Sequence, residues 1–168
     1  MPSTHKKVIV RKLNRDSLAG YVATNFISDA KVELLNTEGN VVWIDLAEIK
    51  GVYFVRELSD SEAILRKTFI TRPRAEGLWV RLRFRDNEVM EGLMPNDLAQ
   101  AGSAGFLVNP PDTQSNTQRI FIPRSALTEL KVLGVIGGQP RRRKPASSDE
   151  RQQEMFQEEP RVEGATRK

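Results

Sequence analysis

Apolar residues along this chain recur at every second position in short runs, and polar turn residues separate the runs. Val80, Leu82 and Phe84 alternate with Arg81, Arg83 and Arg85, which puts the three apolar side chains on one face of a strand and the three arginines on the other. The same reading predicts strands over 7–13, 18–26, 31–35, 41–44 and 49–57, then over 78–85, 89–94, 104–109, 118–122 and 127–135. Asn14–Ser17, Asn36–Asn40 and Asp86–Glu88 carry turn residues. Gly39 is free to take positive φ. Gly20 and Gly92 each fall inside a strand, where glycine marks a bend or a close approach of another backbone. Five short strands per half, joined by tight turns with little room for helix, predict small antiparallel barrels.

The two halves repeat one pattern. Val8, Val10, Leu18 and Gly20 stand 72 positions before Val80, Leu82, Met90 and Gly92. Ile44, Ile49, Val52 and Val55 stand 78 positions before Ile122, Leu127, Leu130 and Leu133. The difference is an insertion in one connection of the second copy, the polar loop Pro110–Thr117, and repeats place insertions in loops. The organisation expected is a first barrel over 7–58, a linker over 59–77, a second barrel over 78–136 and a disordered charged tail over 137–168. In the linker, Ser59–Glu62 suits a helical turn and Lys67–Thr71 a short extra strand ended by Pro73. Units of about 50 residues bury thin cores, so the copies are expected to pack together or share a sheet.

Composition narrows the chemistry. The chain has 168 residues, a formal net charge of +4, one histidine and no cysteine. Disulfides and cysteine-ligated metals are excluded, and the lone His5 cannot build a two-histidine site. No phosphate loop, nucleophile elbow or carboxylate–histidine cluster occurs, so the expectation is a non-enzyme with no catalytic residues, no metal and no cofactor. No apolar run reaches the roughly 18–20 residues that cross a bilayer, and the start lacks a secretory apolar region. No membrane insertion and a cytoplasmic location are expected.

The strand order, the glycine in strand two of each half and the Ile44–Ile49 and Ile122–Leu127 spacing resemble the Sm-like barrel family, twice over. The resemblance implies an all-β fold of two tandem five-stranded Sm-like or SH3-like barrels. Sm-like barrels commonly form rings through edge strands, so a duplicated chain would satisfy one neighbour contact internally, and a monomer or small oligomer is expected. The nucleotide-pocket residues of RNA-binding Sm-like proteins do not carry over. Lys31 stands near the expected asparagine, and Asp45-Leu46 and Pro123-Arg124 follow the fourth-strand isoleucines in place of Arg-Gly. The second copy also resembles a bacterial domain family of unknown function, through Gly77–Arg81, Gly105–Val108 and Asp112–Ile122. Arg11, Arg15, Ser17 and Gly20 match the cyclic-dinucleotide motif of PilZ domains poorly, in both order and spacing.

Several side-chain groups are candidates for binding. Arg81, Arg83 and Arg85 repeat at roughly 7 Å, close to the phosphate spacing of a single strand, and Lys67, Arg72 and Arg74 precede them. This stripe could track RNA or single-stranded nucleic acid, or form a solvated strand face, partly paired with Glu88, Glu91 or the acidic residues of the first half, that discourages edge pairing. Asp112, Ser115 and Asn116 could hold a ligand or cap their own turn. Trp43, Trp79, Tyr53 and Phe54 could stack bases or serve as packing. Arg141–Lys144 is a basic run in an otherwise mixed tail. The expected function is a bacterial binding or adaptor module whose partner is another protein or a second copy of itself; the alternative is RNA or single-strand binding.

Overall fold

The computed structural model describes residues 4–59, 66–97, 99, 101–112 and 114–137. The tail beyond Gly137 and most of the expected helical turn after Ser59 lie outside them. Met1–Gly138 form one compact unit. Its strands are β1 (Lys6–Lys12), β2 (Ser17–Val22), β3 (Ile27–Ser28), β4 (Lys31–Asn36), β5 (Val41–Asp45) and β6 (Ile49–Val55) in the first repeat. The second repeat contributes β7 (Gly77–Phe84), β8 (Val89–Met94), β9 (Gly105–Val108), β10 (Thr117–Pro123) and β11 (Leu127–Ile136). One 3-10 turn, Leu46–Glu48, leads into β6, and its repeat counterpart, Arg124–Ala126, leads into β11. The fold is all-β, and every pairing between these strands is antiparallel.

The strands form two sheets. One runs β3-β4-β2-β1-β6-β10-β9, with β5 on the other side of β4, and the second runs β11-β7-β8. A bridge between Leu93 and Asn109 links β8 to the start of the loop after β9. The junction between the repeats is therefore a strand pair, β6 against β10, with Tyr53 opposite Ile120 and Val52 opposite Phe121. The repeats share a sheet, and they share it through the last strand of one copy and the fourth of the other.

Alternation along these shared strands feeds two cores at once. Val8, Val10, Val52 and Phe54 point into a core with Val32, Leu34 and Ile44, and Phe121 of the second repeat joins them. Ile9, Tyr53 and Val55 point the other way, into a core with Val80, Leu82, Phe84, Ile120 and Ile122. All seven residues of β6 are buried, whereas its repeat counterpart, the stretch from Leu127 to Leu133, contains no buried residue. The difference follows from the partner: β6 is covered by β1 and β10 on its two edges and by a core on each face, while β11 pairs only with β7. Each large apolar side chain buried in this way contributes roughly 1.5–3 kcal/mol.

The predicted strands appear with boundaries shifted by a few residues, as expected of element ends. Lys67–Thr71 departs from expectation: it follows bends and no ladder. It is fastened by the Glu91 amide donating to the Lys67 carbonyl, a contact too isolated to make a strand. The two-residue β3 was not legible because its hairpin turn, Asp29-Ala30, carries no glycine, although both residues take positive φ, 50° and 59°. Gly20 and Gly92 do mark close approaches. A Cβ on Gly20 would lie 2.3 Å from the Leu35 carbonyl oxygen, and one on Gly92 would lie 2.1 Å from Cγ1 of Val108.

Replacing Gly92 by alanine drives its methyl into Val108, and overpacking of this kind costs about 1–3 kcal/mol. Gly92→Ala is expected to lower the urea midpoint accordingly with little change in the slope of the transition.

Candidate functional site

A concavity lies where the repeats meet. It has a volume of about 630 Å³ and lies between the chain at Ala23–Ile27 of the first repeat and Gly102–Leu107 of the second. That size is within the roughly 300–1,000 Å³ of small-ligand pockets. Phe54 and Phe121 come from the paired strands β6 and β10, so the shared ladder fixes their positions. Phe26 leans on both, edge to face, with ring centroids 5.8 Å from Phe54 and 5.5 Å from Phe121. This geometry suits the ring quadrupoles, with Phe54 and Phe121 as the buried floor of the groove and Phe26 half-buried over them. Small residues (Ala23, Gly102, Ala104, Gly105) line the sides and leave room for a ligand backbone.

Lys6, Lys7 and Arg119 also line the groove, and no acidic side chain does. The Lys7 ammonium donates to the Arg56 carbonyl at 3.1 Å and to Glu57 at 3.2 Å. Among the described residues, no carboxylate pairs with Lys6 or Arg119. The groove thus combines an apolar aromatic surface with uncompensated positive charge. Sequence reasoning missed it because its two walls are distant in the chain and only the β6–β10 pairing brings them together. The nearest signal was Phe121, an apolar residue flanked by Ile120 and Ile122, which gives an unbroken apolar run where an exposed strand would alternate.

An ion cluster around one buried lysine lies on the other side of the junction. Lys50 of β6 is 8% exposed and reaches the β7–β8 turn, where it donates to Asp86 at 2.5 Å and to Glu88. Its ammonium also lies 5.0 Å from the centre of the Phe84 ring, a cation–π contact. Lys67 approaches Glu88 at 2.8 Å from the linker. Partial burial alone would raise the Asp86 and Glu88 carboxyls, but the Lys50 hydrogen bonds, joined at Glu88 by Lys67, hold both below the ordinary carboxylate value. Tyr53 sits nearby with the Arg11 guanidinium 4.8 Å above its ring, and burial pushes its phenol up to about 12. This cluster joins first-repeat strands to the second-repeat turn.

The predicted arginine row is exposed, Arg81 and Arg83 on β7 and Arg85 in the turn that follows it. Two of its members have local partners. Arg81 donates to Glu91 through Nε at 3.2 Å and through a terminal nitrogen at 2.8 Å. Arg83 lies 3.5 Å from Glu129. Glu91, buried, also accepts from Trp79 Nε1 and from the Phe69 amide, both at 3.2 Å. Burial would raise its carboxyl, but these donors, Arg81 first, lower it. Arg72, Arg74 and Arg85 are exposed, as is Lys67, which is held by Glu88.

The polar loop is internally bonded. The Gln114 amide donates to the Asp112 carboxylate at 3.0 Å, and the Ser115 hydroxyl donates to the Asp112 and Thr117 carbonyls. The Asn116 side chain donates to the Glu57 carbonyl and accepts from the Glu57 amide, both at 2.9 Å. Asp112, Ser115 and Asn116 thus close the loop and dock it on the segment after β6. The four aromatics do not assemble into one platform: Tyr53 and Phe54 are buried, Trp79 is tied to Glu91 and Phe69, and Trp43 is exposed on β5. Among the described residues there is no cluster of three metal-ligating side chains and no helix long and apolar enough to cross a membrane.

The profile of a family of unknown function, DUF6982, matches residues 4–134, and the chain belongs to that family. The match spans both repeats, where the second alone was expected to show it. No curated protein and no solved structure matches the chain.

Because Asp86, Glu88 and Glu91 are held below their ordinary range, they favour the folded state at pH values above the unfolded carboxylate pKa of roughly 4. That stability is lost as pH falls through the lower folded values. Lys50→Ala leaves Asp86 without its cation and Glu88 with Lys67 alone. It is expected to cost about 2–3 kcal/mol, less than the ~3–5 kcal/mol of a fully buried pair because both acids keep contact with water. Chemical denaturation of both proteins from pH 3 to pH 7 checks this, and the acid-side loss of stability should be shallower in the variant.

Proposed function

We propose that this chain is a non-catalytic binding module, two small Sm-like barrels fused side by side, that captures a segment of a partner protein in the groove between them. The barrel reading is supported by strand neighbours that repeat: β6-β1-β2-β4-β5 in the first half and β11-β7-β8, then β9-β10, in the second. The binding reading rests on one observation, the aromatic surface of Phe26, Phe54 and Phe121 beside the unpaired Lys6 and Arg119. Such a surface complements a peptide segment with a large apolar anchor next to an acidic residue. The apolar anchor supplies affinity and the charges select the partner.

A second reading, single-stranded nucleic acid, is favoured by the exposure of Arg83 on β7 and of Arg85 just after it, with Arg72 and Arg74 exposed in the preceding linker. It would use a different face, and its affinity would fall steeply with salt.

Selection from a random peptide display library on the purified chain tests the first reading. The expected winners carry an aromatic or large aliphatic residue within two positions of Asp or Glu. Their affinity should fall at least about tenfold, ~1.4 kcal/mol, in the double variant Lys6→Glu/Arg119→Glu and hold in Arg83→Glu/Arg85→Glu. Salt-sensitive RNA binding abolished only by the Arg83/Arg85 variant would favour the second reading.

A further inference from the structure

The groove between the repeats fits a large apolar anchor flanked by carboxylates, and the chain carries such a segment of its own beyond the described residues. Gln152–Pro160 reads Gln-Gln-Glu-Met-Phe-Gln-Glu-Glu-Pro. Phe156 is the only aromatic residue after Gly137, and Met155 precedes it. Glu154, Glu158 and Glu159 flank the pair, and no lysine or arginine falls between Arg151 and Arg161. The acidic charge is therefore concentrated around the one large apolar pair of the tail.

The groove supplies the complement of each part. Phe54 and Phe121 form its buried floor, and Phe26 stands half-buried over them. Phenylalanine packs edge to face on such rings, and a methionine thioether adapts to them. Lys6 and Arg119 line the same groove, and among the described residues no carboxylate pairs with either. Two open cations thus match a segment with three carboxylates. The length of chain allows the contact. Phe156 lies 19 positions after Gly137, and so many residues extend to roughly 60 Å. A unit the size of Met1–Gly138 is about 40 Å across.

We propose that Glu154–Glu159 of the chain's own tail occupies the groove and competes there with the partner segment. Phe156 is the anchor on the aromatic floor, Met155 packs beside it, and the three glutamates answer Lys6 and Arg119. This regulation presupposes the groove as a peptide site and adds what covers it. Joined to the groove by its own chain, the segment acts at an effective concentration on the order of 1 mM. An intrinsic Kd of about 0.1 mM then keeps the groove about nine-tenths filled and weakens every outside ligand about tenfold. Only a segment with better contacts than the tail gains entry, so the tail sets a threshold of affinity as well as covering the aromatic floor.

The test uses the full chain and a fluorescent synthetic peptide of residues 150–162, with binding read by anisotropy. Met155→Ser/Phe156→Ser removes the anchor, and neither position belongs to β1–β11, so the circular dichroism should match the wild type. The variant is expected to bind the peptide about tenfold more tightly than the wild type, whose groove is filled. Adding Lys6→Glu/Arg119→Glu to that variant should abolish the gain. A variant that binds the peptide no more tightly than the wild type would overturn the inference. So would suppression that grows with wild-type concentration, which would assign the covering tail to a second copy. A peptide selected by display separates this inference from the groove reading beneath it. If that peptide binds wild type and Met155→Ser/Phe156→Ser equally and is lost in Lys6→Glu/Arg119→Glu, the groove takes peptides and the tail does not cover it. If Lys6→Glu/Arg119→Glu changes the affinity of neither peptide, the groove reading falls and the inference falls with it.

Discussion

The pairing of β6 with β10 is the contact on which the rest of the structure depends. It converts two units, each too small to bury a thick core, into a single body in which one strand is hydrogen-bonded on both edges and covered on both faces. Because side chains alternate, Val52 and Phe54 complete one core while Tyr53 and Val55 complete the other. Neither half could keep its interior dry without the strand they hold in common. The exchange also runs back, since Phe121 of the second repeat fills the core of the first. The Lys50 cluster adds a polar link at the same junction, and its charges are tolerable at low exposure because two carboxylates and an aromatic face surround the ammonium.

The same pairing creates the groove. Bringing β6 and β10 side by side sets Phe54 beside Phe121, and Phe26 closes on both from the β2–β3 connection. The surface so formed is apolar where the core of the first repeat reaches it and positive where Lys6 and Arg119 stand beside it. Other polar features that drew notice are largely engaged in holding the structure. Asn116 mimics a strand neighbour for Glu57, and Glu91 gathers Arg81, Trp79 and the linker backbone around one carboxylate. Glu91 satisfies half-buried donors that would otherwise be left without partners, and the exposed Asn116 bonds dock the loop.

Much of the fold could be read from spacing alone. Alternation located ten of the strands, the two offsets between the halves identified the duplication and its insertion, and Gly20 and Gly92 pointed to close approaches, of the Leu35 backbone to one and of the Val108 side chain to the other. Arg81 and Arg83 also stood on the face that alternation gave them. What spacing could not supply was partnership between distant segments. Arg81 was legible as exposed and Glu91 as one of several candidate partners, but the choice of Glu91 depends on the β7–β8 register. Lys50 read as an ordinary strand lysine, and its burial follows only once the second repeat lies against the first. The groove was invisible for the same reason, because its walls come from both repeats and meet only across the junction.

The central claim is that the shared strand makes the two repeats one cooperative unit. The chain has two tryptophans, Trp43 in the first repeat and Trp79 in the second. Denaturant unfolding of Trp43→Phe and Trp79→Phe, followed by the fluorescence of the tryptophan each retains, measures the halves separately. Once each curve is referred to the far-ultraviolet circular dichroism of the same variant, the fluorescence and dichroism transitions should coincide in both proteins, because neither half persists without the other. A fluorescence transition separated from the dichroism change, with one half unfolding while the other remains intact, would contradict the account.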